Sequence, residues 1–119
     1  MLHKQYKYKF YLNMNHSVEF DGKQGAIHSH TWEICTSISV KDEEFVLFSD
    51  VEKCVAELLE KYQDKYINEI EPFDKMNPTL ENVCDYLYEF LTEELKKKGW
   101  NLFLMEMSET PSRIYQVSG

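Results

Sequence analysis

Three of the chain's four histidines, His16, His28 and His30, fall where their side chains can meet. An extended strand points every second side chain to the same face. His16 closes a run in which Tyr6, Tyr8, Phe10, Leu12 and Met14 share its parity. His28 and His30 open a second run, with Trp32, Ile34, Ile38 and Val40 on theirs. Set side by side, the two runs bring three imidazoles to one end of one sheet face. Three histidines with a free fourth position are the ligand pattern of catalytic zinc. Without a metal, three packed imidazoles repel one another when protonated and lack partners when neutral. A single histidine at a strand end is ordinarily a polar boundary residue, and His3 is read that way.

The elements that must position these residues can be read from periodicity and turn chemistry. The first strand is expected over about 5–15 and the second over about 28–40, where Trp32, Ile34, Thr36, Ile38 and Val40 supply many strand formers. Between them, 17–27 reads as a loop with Asp21-Gly22 as a turn. Lys41 to Glu44 reads as a turn, and Glu44 to Phe48 as a short third strand forming a hairpin with the second. A helix is expected from Asp50, with Val51, Cys54, Val55, Leu58, Leu59 and Tyr62 at helical spacing. A second helix is expected with Asn77 as its cap, Pro78 in its first position and Glu81 near its positive end. Leu80, Val83, Cys84, Leu87, Leu91 and Leu95 form its apolar stripe, and Gly99 is its natural stop. Two last strands follow, at 100–108 and 113–117. Strands grouped apart from helices predict an α+β protein: an antiparallel sheet with both helices packed on one face.

Composition narrows the function classes. With 119 residues, a single domain over 1–119 is the default. A net charge of −8 argues against nucleic-acid binding, which needs a clustered basic footprint. The run Lys96-Lys97-Lys98 reads as the polar end of a helix. The three cysteines, Cys35, Cys54 and Cys84, match no zinc-knuckle or redox spacing and read as free thiols. No apolar run reaches membrane-span length, and the first residues lack the apolar stretch of a secretion signal, so a cytoplasmic location is expected. A two-layer unit leaves one sheet face for neighbouring copies to cover, so a homo-oligomer is expected.

The motifs together resemble the 6-pyruvoyltetrahydropterin and 6-carboxytetrahydropterin synthase family. That family shows a histidine after its first strand, H-G-H at the start of its second, a P-T-x-E-N helix start and a late glutamate-threonine pair. The corresponding segments here are His16, His28-Ser29-His30, Pro78-Thr79-Leu80-Glu81-Asn82 and Glu109-Thr110. Lys65 to Glu69 is similar to the family's stretch ending in leucine-asparagine. The resemblance spans nearly the whole chain. It implies the tunnelling fold, a four-stranded antiparallel sheet with two helices on one side. It implies a barrel of subunits, commonly a hexamer built as a dimer of trimers, with sites at subunit interfaces. It also implies Zn²⁺ on His16, His28 and His30, and a pterin ring held by Glu109 with Thr110. A carboxylate suits that task, because its two oxygens accept parallel hydrogen bonds from adjacent ring N–H groups.

The chain departs from the family at its acid–base residues. Four residues before the H-G-H the family carries its working cysteine, and here that place holds Gln24. Glutamine does not titrate and can be neither a thiolate nor a general base. The family's aspartate-histidine pair corresponds to Gln63 and Asp64. Asp64 is therefore the candidate catalytic base, ahead of Glu19 and Asp21. Two functions are expected on these grounds. One is a zinc-dependent lyase acting on a reduced pterin or related bicyclic substrate with altered acid–base residues. The alternative is a non-catalytic relative that binds a pterin-like or purine-like ligand, or assembles with a partner.

Overall fold

The computed structural model describes residues 2–41 and 45–119. Its frame is a pair of long antiparallel strands, β1 (Tyr6–His16) and β4 (His28–Ser39), in register from Tyr6 against Ile38 to His16 against His28. That register is fixed by alternation. Tyr8, Leu12, Met14, Trp32, Ile34 and Ile38 are all buried on one face, and a one-residue slip would turn them to solvent. Between β1 and β4 lies a two-stranded hairpin, β2 (Glu19–Phe20) and β3 (Lys23–Gln24). Asp21 and Gly22 form its turn at positive φ, so this stretch is a small hairpin where the sequence suggested only a loop.

The expected third strand at Glu44 to Phe48 does not form. Glu44 lies outside the described residues, Phe45 to Leu47 are irregular, and Phe48 already opens the first helix, α1 (Phe48–Leu59). A short apolar run cannot be assigned to strand or helix by periodicity alone, and here the end of the run became helix. Helix α1 starts two residues before Asp50 and buries Val51, Val55 and Leu59. Two 3₁₀ turns, Glu60–Tyr62 and Ile67–Glu69, flank a two-residue strand, β5 (Lys65–Tyr66), which pairs in parallel with Met14 and Asn15 of β1.

Helix α2 (Leu80–Lys96) buries Val83, Cys84, Leu87, Leu91 and Leu95. Its N-cap is Thr79, whose hydroxyl accepts a 3.1 Å hydrogen bond from the Asn82 N–H, so the expected Asn77 cap is corrected. The reason is that the Asn77 amide is occupied elsewhere, bonded at both ends to the backbone of Glu19. Residues before proline also avoid helical conformation, which keeps Asn77 outside the helix. Gly99 ends the helix at φ +82°, a conformation that glycine adopts without steric cost. Strands β6 (Asn101–Thr110) and β7 (Arg113–Ser118) complete a five-stranded sheet of order β5-β1-β4-β6-β7. The four long strands are antiparallel, and β5 adds a short parallel edge. Both helices pack on one sheet face over the shared core. Among the described residues no helix is long and apolar enough to cross a membrane. The three cysteines are free, and burial pushes the Cys84 thiol up to about 12.

Candidate metal centre

The β1–β4 register places His16 directly across from His28, with His30 two residues along the same face. One ligand atom from each of the three lies within 4.8 Å of the others. The ring centroids of His28 are 4.5 Å from those of both His16 and His30. His16 is buried, His28 is exposed and His30 lies between, so the cluster is anchored in the core and open on one side.

Hydrogen bonds fix the tautomers. His16 Nδ1 lies 2.8 Å from the Pro78 carbonyl oxygen, and His28 Nδ1 lies 3.1 Å from that of Ala26. A carbonyl only accepts, so both Nδ1 atoms carry the proton. The two Nε2 atoms therefore hold lone pairs, yet they face each other at 2.9 Å. Two lone pairs at that distance call for a shared proton or a metal ion between them. The separation is close to the roughly 3.3 Å between two nitrogens on a tetrahedral zinc with bonds of about 2.0 Å. Histidine ligands that donate their other N–H to a backbone carbonyl are the ordinary support of metal sites. The donor set fits a divalent metal such as zinc. Burial lowers the His16 pKa, opposed by the Pro78 hydrogen bond, and the neighbouring His28 and His30 lower it further. That keeps His16 in the neutral form a metal requires.

The histidines form one wall of a cavity of about 620 Å³. Facing them are the start of α2, at Thr79, Leu80 and Glu81, and the β6–β7 corner, with Glu109, Thr110 and Arg113. Glu109 owes its place to a bulge. Ser108 pairs with Ile114 and Thr110 with Arg113, which leaves Glu109 as the extra residue of β6. Bulges re-aim side chains, and this one sets Glu109 Oε2 at 4.0 Å from His30 Nε2. Glu109 and Thr110 thus share the cavity with all three histidines.

Asp64 is placed differently. It lines a neighbouring depression with Asn13, Met14, Asn15, Ser29, His30 and Thr31, so His30 is the one histidine common to both. Asp64 has φ +57° and its N–H donates to the Asn13 carbonyl at 2.7 Å. Gln24 sits on β3 and donates its side-chain amide to the Ser17 hydroxyl. Glu19 and Asp21 are exposed on the hairpin.

The hairpin itself is strapped down. The Asn68 amide accepts from the Ser17 N–H at 2.9 Å and donates to the Ser17 carbonyl at 2.8 Å. Asn77 does the same for Glu19, at 2.8 and 2.9 Å. These clamps hold the chain just after His16. The sequence reading missed Trp32, Arg113 and Tyr115 as neighbours of the site. Parity alone marks Trp32, which lies on the same face as His28 and His30.

Comparisons with known proteins agree with this architecture. A family model described as 6-pyruvoyl tetrahydropterin synthase matches residues 5–119. The structure of Caenorhabditis elegans 6-pyruvoyl tetrahydropterin synthase superposes with TM-score 0.74 at 16% identity, over 98% of this chain and 95% of that one. An uncharacterised protein from Wolinella succinogenes gives TM-score 0.71 at 14% identity, over 98% of each chain. A catalytic-residue mutant of Plasmodium vivax 6-pyruvoyltetrahydropterin synthase gives 0.67 at 16%, over 97% of this chain and 98% of that one. A search of curated proteins finds no match. At these identities the structural likeness carries the fold alone, which is the tunnelling fold that the motifs implied.

Proposed function

The chain belongs to the 6-pyruvoyl tetrahydropterin synthase family, and on that premise we propose that it is a zinc-binding lyase acting on a reduced pterin or a related bicyclic substrate. The observation that carries the metal is the 2.9 Å approach of His16 and His28 Nε2, with both Nδ1 protons spent on backbone carbonyls. His16, His28 and His30 are the ligands in this reading. Zinc bound there would polarise a substrate oxygen or acidify a hydroxyl bound to it.

The chain's own residues do the rest. Glu109, aimed by its bulge, accepts the paired N–H groups of the ring edge, and Thr110 beside it offers a hydroxyl. The cavity encloses the ring on the α2 side. Asp64 carries the proton, bordering the site from the far side of His30. Subunits assemble so that the cavity opens at their interface, a hexamer in the arrangement that the family resemblance implies.

A second reading is favoured by Gln24. It occupies the place of the family's working cysteine and spends its amide on Ser17, so that position supplies neither thiol nor acid. In that reading the cavity binds a pterin-like or purine-like ring without turning it over.

Metal analysis of purified protein should find about one zinc per chain, lost in His28→Ala. Dihydroneopterin triphosphate and dihydroneopterin are then offered, with products followed by mass. Turnover abolished by Asp64→Asn supports the lyase, whereas tight binding without turnover supports the second reading. Ligand affinity unchanged in Glu109→Ala would remove the ring-anchor role.

A further inference from the structure

The three histidines are not held alike. His16 and His28 each have a backbone carbonyl on Nδ1, at 2.8 and 3.1 Å. Among the described residues His30 has no such hydrogen bond, and its polar neighbour is Glu109 at 4.0 Å. What lies against the His30 ring is the indole of Trp32, with centroids 5.9 Å apart and planes inclined by 26°. The same indole meets His16 edge to face, at 5.1 Å and 87°. Trp32 is fully buried, and among the described residues its indole N–H has no hydrogen-bond partner. A tryptophan there leaves a buried donor unpaired, which an apolar residue of similar size would avoid. Its flat face is what an aliphatic side chain cannot replace.

We infer that Trp32 is a positioning residue of the histidine centre, whose indole sets the ring plane of His30 as carbonyls set those of His16 and His28. This inference rests on the metal reading given above. Aromatic pairs at such centroid distances prefer offset-stacked or edge-to-face geometry, and Trp32 makes one of each with two ligands. The β4 register makes this possible. Trp32 follows His30 on the same face and opposes Leu12, so the core below locks the indole. A cation on the histidines draws electron density from the His30 ring and strengthens its contact with the indole face. The ligand ring and the indole are therefore coupled in both directions: the indole holds the ligand, and occupation of the site changes the indole's surroundings.

The test begins with the unmodified chain, titrated with zinc against a competing chelator. Trp32→Leu and Trp32→Phe follow, with folding checked by circular dichroism. Trp32→Leu should bind zinc about 10- to 100-fold more weakly, the usual effect of losing a residue that supports a ligand. Trp32→Phe keeps a stacking face and should stay within a few-fold of the unmodified affinity. The visible spectrum of the cobalt(II) form should shift in Trp32→Leu and hold in Trp32→Phe, which a general loss of stability would not produce.

A second arm needs no change at Trp32. The chain has two tryptophans, and Trp100 follows the far end of α2, about 25 Å from the histidines by helix length. In Trp100→Phe the remaining indole should change its emission as zinc is added. A folded Trp32→Leu with unmodified zinc affinity and cobalt spectrum would overturn the inference. So would zinc-saturated Trp100→Phe with unaltered emission. An unmodified chain that binds no zinc sinks the metal reading itself, and that result is visible before any variant is made.

Discussion

Replacing Asn68 by alanine tests how firmly the chain after His16 is held. Ser17 is 1% exposed, and both its backbone groups are satisfied by the one Asn68 amide. Alanine strands a buried N–H and a buried C=O together. A buried unpaired group costs about 1–3 kcal/mol, and partial entry of water offsets some of that, so a loss of about 3 kcal/mol is expected. Unfolding entropy near 2.1 cal/mol/K per residue comes to roughly 250 cal/mol/K for a chain of this length. The melting temperature should then fall by about 12 °C. Asn68→Asp keeps the acceptor for the Ser17 N–H but loses the donor, so it should fall between the two. Thermal melts followed by circular dichroism, with urea midpoints as a check, give the numbers. A drop below about 3 °C in Asn68→Ala would show that the Ser17 groups find other partners, and the clamp would lose its assigned role.

Two further predictions concern the metal-free protein. Burial holds His16 neutral in the folded state while the unfolded chain protonates near the ordinary value of about 6.5. The unfolded state then binds more protons, so stability should be full above about pH 6.5, fall as pH drops through the window down to the lowered folded value, and level off below it. Urea midpoints across that range, with His16→Gln flattening part of the slope, check the sign. Thr79→Ala removes the α2 cap and should cost about 1 kcal/mol, with Thr79→Ser retaining it, as read from urea midpoints.

Much of the sheet was legible because strand parity is strict. Tyr8, Leu12 and Met14 on one side and Trp32, Ile34 and Ile38 on the other announced both the face and the meeting of His16 with His28. The stripe of α2 was equally plain, since five buried side chains recur at helical spacing. What failed was local. Phe45 to Phe48 carries apolar residues without a period long enough to choose between strand and helix. Asn77 has the chemistry of a cap, but its amide is used across 58 positions of sequence, and no local rule registers such a partner. The clamp of Asn68 on Ser17 escaped notice for the same reason. The bulge that isolates Glu109 is set by how β6 meets β7, so the motif gave the residue and only the pairing gave its aim.

Gln63 has a consequence for how a second strand could join the sheet. Its side chain imitates a neighbouring strand, accepting from the Asn13 N–H at 3.0 Å and donating to the Tyr11 carbonyl at 2.7 Å. Asp64 N–H takes the Asn13 carbonyl, and β5 covers Met14 and Asn15. The lower half of the β1 edge is therefore already sealed by its own chain. Among the described residues the outer edge of β1 stays unpaired only over Tyr6 to Phe10, a stretch that carries Lys7 and Lys9. Lysines on an open edge discourage indiscriminate strand addition. The molecule thus leaves a short, charged docking length on one side and the whole of β7 on the other. An incoming strand must match that length and charge to be admitted, which works against runaway cross-β growth.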